Sequence, residues 1–190
     1  MKHVIWMVLR GWAVILLSGQ AIAETEQSVE GDFHRTIYIG QQGVISDIEL
    51  FTKQPDKEVF FGVTCSAMSP FPLLQVLLFN GAVLSETPKF LSVAYRIDGE
   101  SIEHKPGLQG ILNVVDSADE FSNKVRLELE LGQIRSMNVM NKGYQTLLSD
   151  LKQGRKVVFS LYSRSFGSQN YEFSLEGLKA LLEPYESVCR

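Results

Sequence analysis

From Phe33 onward the chain is written largely in period two. Phe33, Ile37 and Ile39 share one parity while His34 and Thr36 take the other; Val44, Ile48 and Leu50 then fall on one face, with Asp47 and Glu49 opposite. Successive side chains of a strand point to opposite faces, so the pattern predicts half-buried strands with one apolar side. Ile45 and Ser46 each break the alternation once. Between the two runs, Gly40-Gln41-Gln42-Gly43 predicts a hairpin turn, because glycine takes positive φ at little cost. Residues 59–64 and 73–79 are short apolar runs rich in β-formers, as expected of central strands covered on both faces. Asn80-Gly81 is a further turn signal. Residues 90–97 interleave Phe90, Ser92, Ala94 and Arg96 with Leu91, Val93, Tyr95 and Ile97, and stop at Asp98-Gly99. The cleanest amphipathic strand follows, with Val125, Leu127, Leu129 and Leu131 alternating against Arg126, Glu128 and Glu130. Val157, Phe159 and Leu161 repeat the pattern before a polar turn around Gly167. Residues 24–32 carry no such pattern and read as a loose acidic lead.

Two stretches change period. Residues 144–153 place Leu147, Leu148 and Leu151 on one helical stripe and meet a stop signal at Gly154. Ser174 is placed to cap a last helix in which Leu178, Leu181, Leu182 and Tyr185 recur at i, i+3, i+4 and i+7, and Pro184 should end or bend it. Many short strands with turn signals and a closing helix predict a mainly β fold. The expected architecture is an antiparallel β-sandwich or partly open barrel with two peripheral helices, the last at the C-terminus.

The first 23 residues follow a different logic. Lys2, His3 and Arg10 give a positive start, residues 11–17 a short apolar core, and Ala21-Ile22-Ala23 small residues at both positions a signal peptidase reads. The apolar stretch is too short to cross a bilayer of roughly 30 Å, so a cleaved leader is expected rather than an anchor. No cysteine follows the small residues to accept a lipid. Removing 23 of the 190 residues leaves a single expected domain of 167, residues 24–190. Both tryptophans, Trp6 and Trp12, leave with the leader. It also carries two of the 18 cations and none of the 22 acids, so the formal charge moves from -4 to -6. Such a surface, with no basic run, excludes nucleic acid and argues against attraction to anionic membranes. Apolar and charged fractions of 45% and 21% exclude a disordered chain.

Cys65 and Cys189 are the only cysteines, 124 positions apart. In an exported domain two thiols usually pair, so a structural disulfide is expected. A reactive thiol would want a neighbouring cation, and only Arg190 stands close in sequence. Zinc needs three or four close ligands, so no metal is expected here, and no other cofactor motif is present. His34 and His104 lack metal spacing, Gly-x-Ser-x-Gly is absent, and Glu128 and Glu130 share a strand face with Arg126 as a solvated ionic row. No catalytic residue is assigned, and a non-enzymatic role is expected. What remains is recognition. Ser66-Ala67-Met68-Ser69-Pro70-Phe71-Pro72 puts Met68 and Phe71 on a loop stiffened by two prolines. They form either a preorganised partner anchor or side chains folded back onto the core. Arg96 and Asp98, two apart, form either an ion pair along one sheet face or a polar contact spot.

The ordering of these pieces resembles known families. Val63-Thr64-Cys65, Val93-Ala94-Tyr95-Arg96-Ile97-Asp98 and Phe173-Ser174-Leu175-Glu176-Gly177-Leu178-Lys179-Ala180-Leu181 before Cys189 are similar to small exported bacterial proteins of the VasI-like kind associated with type VI secretion. The closing segment also resembles invasion-associated locus B proteins. The resemblance implies a bacterial periplasm and no known catalysis. The functional expectation is therefore a periplasmic or secreted module that binds an exported or envelope protein, as a secretion accessory or an immunity-type inhibitor. The alternatives are a hydrolase of cell-envelope or carbohydrate material and a small-ligand-binding β-sandwich.

Overall fold

The computed structural model describes residues 24–78, 90–101, 108–115, 124–131, 136–163 and 167–189. The predicted leader, the Asn80-Gly81 turn and His104 lie outside them. The strands are β1 (Glu24–Glu30), β2 (Phe33–Ile39), β3 (Ile45–Lys53), β4 (Val59–Ser66), β5 (Leu73–Leu78), β6 (Phe90–Ile97), β7 (Glu100–Ser101), β8 (Leu108–Val115), β9 (Lys124–Leu131), β10 (Lys156–Ser163) and β11 (Gly167–Ser174). Helix α1 (Met137–Gln153) joins β9 to β10, and α2 (Leu178–Leu182) follows β11. All pairings are antiparallel, along the path β1-β2-β3-β4-β5-β9-β8-β6-β10-β11 with β7 beside β6. The fold is mainly β, as the alternation predicts.

This sheet curls over itself. Phe61 on β4 lies 5.1 Å from the ring of Phe159 on β10 and 5.7 Å from Phe173 on β11. These strands are far apart along the hydrogen-bonded path, so the rings meet across the interior. Phe33, Thr52, Phe61, Val76 and Leu127 form one cross-strand row, and all five are buried. Among the described residues the path does not close, because β1 and β11 end it without pairing. The result is the partly open barrel, with α1 touching β9 and α2 touching β1 and β2.

Local chemistry explains most element ends. The broken alternation at Ile45 and Ser46 is a β-bulge: Tyr38 faces Asp47 and Ile39 faces Ile45, leaving Ser46 as the extra residue. Its hydroxyl donates to the Tyr38 carbonyl at 3.2 Å, and its own carbonyl accepts from Ala67 N–H at 2.8 Å. Val44 consequently leaves the inner face and stands 61% exposed. Helix α1 begins seven residues earlier than its apolar stripe indicates, because Ser136 caps it by accepting from Val139 N–H. Gly154 follows its last residue, as expected. At the other end of the chain, Ser174 caps no helix. It ends β11 and accepts from Glu176 N–H, and the chain then turns through Gly177. The five-residue α2 passes into a 3-10 turn at Glu183–Tyr185, with Pro184 at its start.

Residues 24–32 depart from expectation. Residues 24–30 form a full strand, paired residue for residue with β2. Almost every side chain on it is exposed, so the backbone ladder and contact with α2 hold it and no apolar period marks it.

Burial sets a pH limit. Tyr95, on β6 against Phe159, is 6% exposed, and burial with the Asp150 carboxylate nearby pushes its phenol up to about 12. Burial also raises Tyr144 and Tyr171. An unfolded tyrosine ionises near 10, so between those values the unfolded chain has released a proton the folded one retains. Stability is therefore unaffected below pH 10 and falls as pH rises from about 10 to about 12. The expected observation is tyrosinate absorbance rising together with loss of circular dichroism. Ionisation of Tyr95 near pH 10 with the fold intact would contradict it.

Candidate functional site

The loop of residues 66–72 joins two buried strands, and its own polar groups fasten it. Ala67 N–H donates to the Ser46 carbonyl at 2.8 Å and Ser69 N–H to the Ser66 carbonyl at 3.1 Å. The Ser66 hydroxyl accepts from Met68 N–H at 3.3 Å, and the Ser69 hydroxyl accepts from Phe71 N–H at 3.3 Å while donating to the Phe71 carbonyl at 2.8 Å. Serine side chains satisfy the backbone here in place of a ladder, which is how short polar residues fix turns.

The two apolar residues of the loop part company. Phe71 folds back, its ring stacked on Tyr144 of α1 at 5.3 Å between centroids, with partial burial against the core. Met68 goes the other way and is 95% exposed. A thioether side chain held in water on a braced loop is unusual, since such surface is favourably removed from solvent. The first turn of α1 exposes two further apolar side chains, Met137 at 57% and Val139 at 58%.

The loop base is clamped to the end of the chain. Cys65, buried on the inner face of β4, is joined to Cys189 in a disulfide with its Cα atoms 5.0 Å apart. The closing segment has a second clamp in Arg35. Its Nη1 donates to the Leu181 carbonyl at 3.2 Å, near the end of α2 where carbonyls lack helical partners, and its guanidinium lies 4.7 Å from the Tyr185 ring centroid. Sequence reasoning passed over Arg35, yet it carries a signal. It shares the parity of Phe33, Ile37 and Ile39, and a cation on the apolar side of a strand needs a buried partner.

Arg96 and Asp98 are not brought together as a pair. Arg96 is exposed in mid-strand, opposite Val158 and Ser101. Asp98 lies beyond the end of β6 with a φ of 52°. Its carboxylate accepts from Arg155 N–H at 3.0 Å and from Lys156 N–H at 2.9 Å, fixing the start of β10. An open depression of about 380 Å³ lies beside it, lined by Asp98, Gly99, Arg155 and Lys156.

Acidic groups stand on β3 beside the base of the loop. Asp47 sits directly across from Ser66, and beside it the Tyr38 hydroxyl donates to Glu49 at 3.0 Å. That hydrogen bond, with burial and the charges of Glu49 and Asp47, raises the Tyr38 phenol. Among the described residues no three His, Cys, Asp or Glu side chains converge as a metal set, and no helix is long and apolar enough to cross a membrane. The geometry thus presents an apolar projection on a stiff base, with Asp47 across from the loop's first residue. Compared with known proteins, the chain matches no family model, no curated protein and no solved structure.

Proposed function

We propose that this protein is an exported, non-catalytic binding module whose protein partner seats an apolar socket over Met68. The carrying observation is that side chain, 95% exposed on a loop with four internal hydrogen bonds, a fifth to Ser46 on β3, and a disulfide at its base. A projection ordered before binding loses little entropy on docking, so its burial converts efficiently into affinity. The disulfide supports export, since such bonds persist in oxidising compartments, and the leader pattern agrees. The resemblance of sequence fragments to VasI-like proteins would make it a periplasmic secretion accessory; the acids on β3 beside the loop base equally fit an immunity-type inhibitor of a basic protein.

Mature protein used as bait on periplasmic extract should recover one stoichiometric partner. Met68→Asp should abolish that capture with an unchanged melting temperature, and Met68→Leu should retain it. Phe71→Asp is a poor substitute, because it also breaks the stack on Tyr144. Equal capture by wild type and Met68→Asp would remove Met68 from the interface.

A further inference from the structure

Strand β1 ends the sheet, and among the described residues nothing pairs with its outer edge. Alternate residues of such an edge turn their N–H and C=O groups outward, a ready template for one more strand. The register with β2 runs unbroken from Glu24 facing Ile39 to Glu30 facing Phe33, and no proline or bulge within β1 spoils the edge. Its side chains divide cleanly. Glu24, Glu26 and Glu30 take the face shared with Ile39, Ile37 and Phe33, while Thr25, Gln27 and Val29 take the other. The ion pairs among the described residues are Lys53–Glu58, Lys152–Glu186, Lys156–Glu172 and Lys179–Glu183, so none engages these three acids.

A second copy of this chain is a poor occupant. Antiparallel pairing of β1 with itself about Gln27 would set Glu24 against Glu30 twice, and like charges directly opposed destabilise a sheet. The complementary occupant is a strand with Lys or Arg at alternate positions. Position adds a further argument. Thr25, Tyr38, Asp47 and Ser66 form one cross-strand row, so the start of β1 lies three strand spacings, about 14 Å, from the base of the Met68 loop. Edge and loop fit within one ordinary footprint of about 800 Å².

We infer that β1 accepts one extended cationic segment of the partner as an added antiparallel strand, the pairing used throughout this sheet, with Glu24, Glu26 and Glu30 selecting its charge. This rests on the reading of Met68 as the neighbouring anchor, and the test separates the two. The probe is a short alternating Lys–Thr peptide, with an alternating Glu–Thr peptide as control, titrated into the mature protein at low and physiological salt. Two further probes carry N-methyl groups on every Lys amide or on every Thr amide, which keeps the charge and blocks one edge at a time.

The Lys–Thr peptide should bind and slow hydrogen exchange in β1, and the Glu–Thr peptide should not. One N-methylated form should bind like the parent and the other at least about tenfold more weakly, because an antiparallel strand with its lysines on the glutamate face turns one fixed edge to β1. Glu26→Lys should weaken the parent by about tenfold or more, whereas Met68→Asp should leave it unchanged. Equal binding of both N-methylated forms would reduce the effect to bulk charge and overturn the proposal, as would self-association through β1. Intact peptide binding with Met68-independent capture would overturn only the reading of the loop.

Discussion

Gly177→Ala is expected to lower folding stability by about 3 kcal/mol or more, from backbone strain and overlap together. Gly177 has a φ of 93°, which a side chain tolerates poorly, and a Cβ there would lie 1.8 Å from the Glu30 carbonyl oxygen. The opposing turn is built the same way. Gly31 has a φ of 55°, and a Cβ on it would stand 2.6 Å from the Glu176 carbonyl oxygen. Two bare backbone turns therefore touch, joined by Asp32 N–H donating to the Glu176 carbonyl at 3.0 Å. Neither can yield without parting the β1–β2 turn from the lead into α2. Gly43→Ala is the matched control, with a φ of 73° and nothing within 4 Å. It should cost only the conformational share, about 1 to 2 kcal/mol. Urea unfolding of both variants measures the difference, and equal losses would show that the turn contact contributes nothing.

Cys189→Ala is expected to cost about 4 to 5 kcal/mol on the chain-entropy account, because the bond closes a long segment. The separation of 124 residues sets that scale. The loss should also be felt locally. Cys189 N–H donates to the Tyr185 carbonyl at 3.1 Å, and Tyr185 lies against Arg35, so the closing turn and the guanidinium clamp loosen together. Hydrogen exchange at residues 66–71 should rise as the loop base loses its tether. A change within about 1 kcal/mol of wild type would mean that the sheet and Arg35 hold the closing segment without the sulfurs.

Where one face of a strand is buried, the sequence is readable. β2, β3, β9 and β10 carry alternation because Phe33, Ile48, Leu127 and Phe159 must point inward, and β4 and β5 read as continuous apolar runs because most of their residues are covered. β1 escaped because Glu24, Glu26 and Glu30 occupy its inward-facing positions beyond the core. β11 escaped for another reason. Its first half, Gly-Ser-Gln-Asn, is polar on both faces, and only Tyr171 and Phe173 reach the interior. β8 escaped too, although its Leu108 is buried. The last helix was overestimated because Leu178, Leu181 and Leu182 fit a helical stripe, while Gly177 and Pro184 confine it to five residues.

The candidate site was half legible. Composition marked the loop with Met68 and Phe71, but which residue faces water depends on Tyr144, whose position no local pattern encodes. Arg96 and Asp98 shared a parity in the linear string. The turn after Ile97 cancels it, since a φ of 52° at Asp98 breaks the strand's alternation.

The bond between Cys65 and Cys189 also divides the molecule topologically. It gathers the end of β4, β5 to β11 and both helices into a covalent ring, with β1, β2, β3 and most of β4 outside as a linear arm. A protease that cuts once within the ring linearises it and releases nothing, so the nicked protein runs as one species until a reductant splits it. A cut between β1 and β4 instead leaves an arm fragment held only by non-covalent contacts, and dilution in denaturant would shed it.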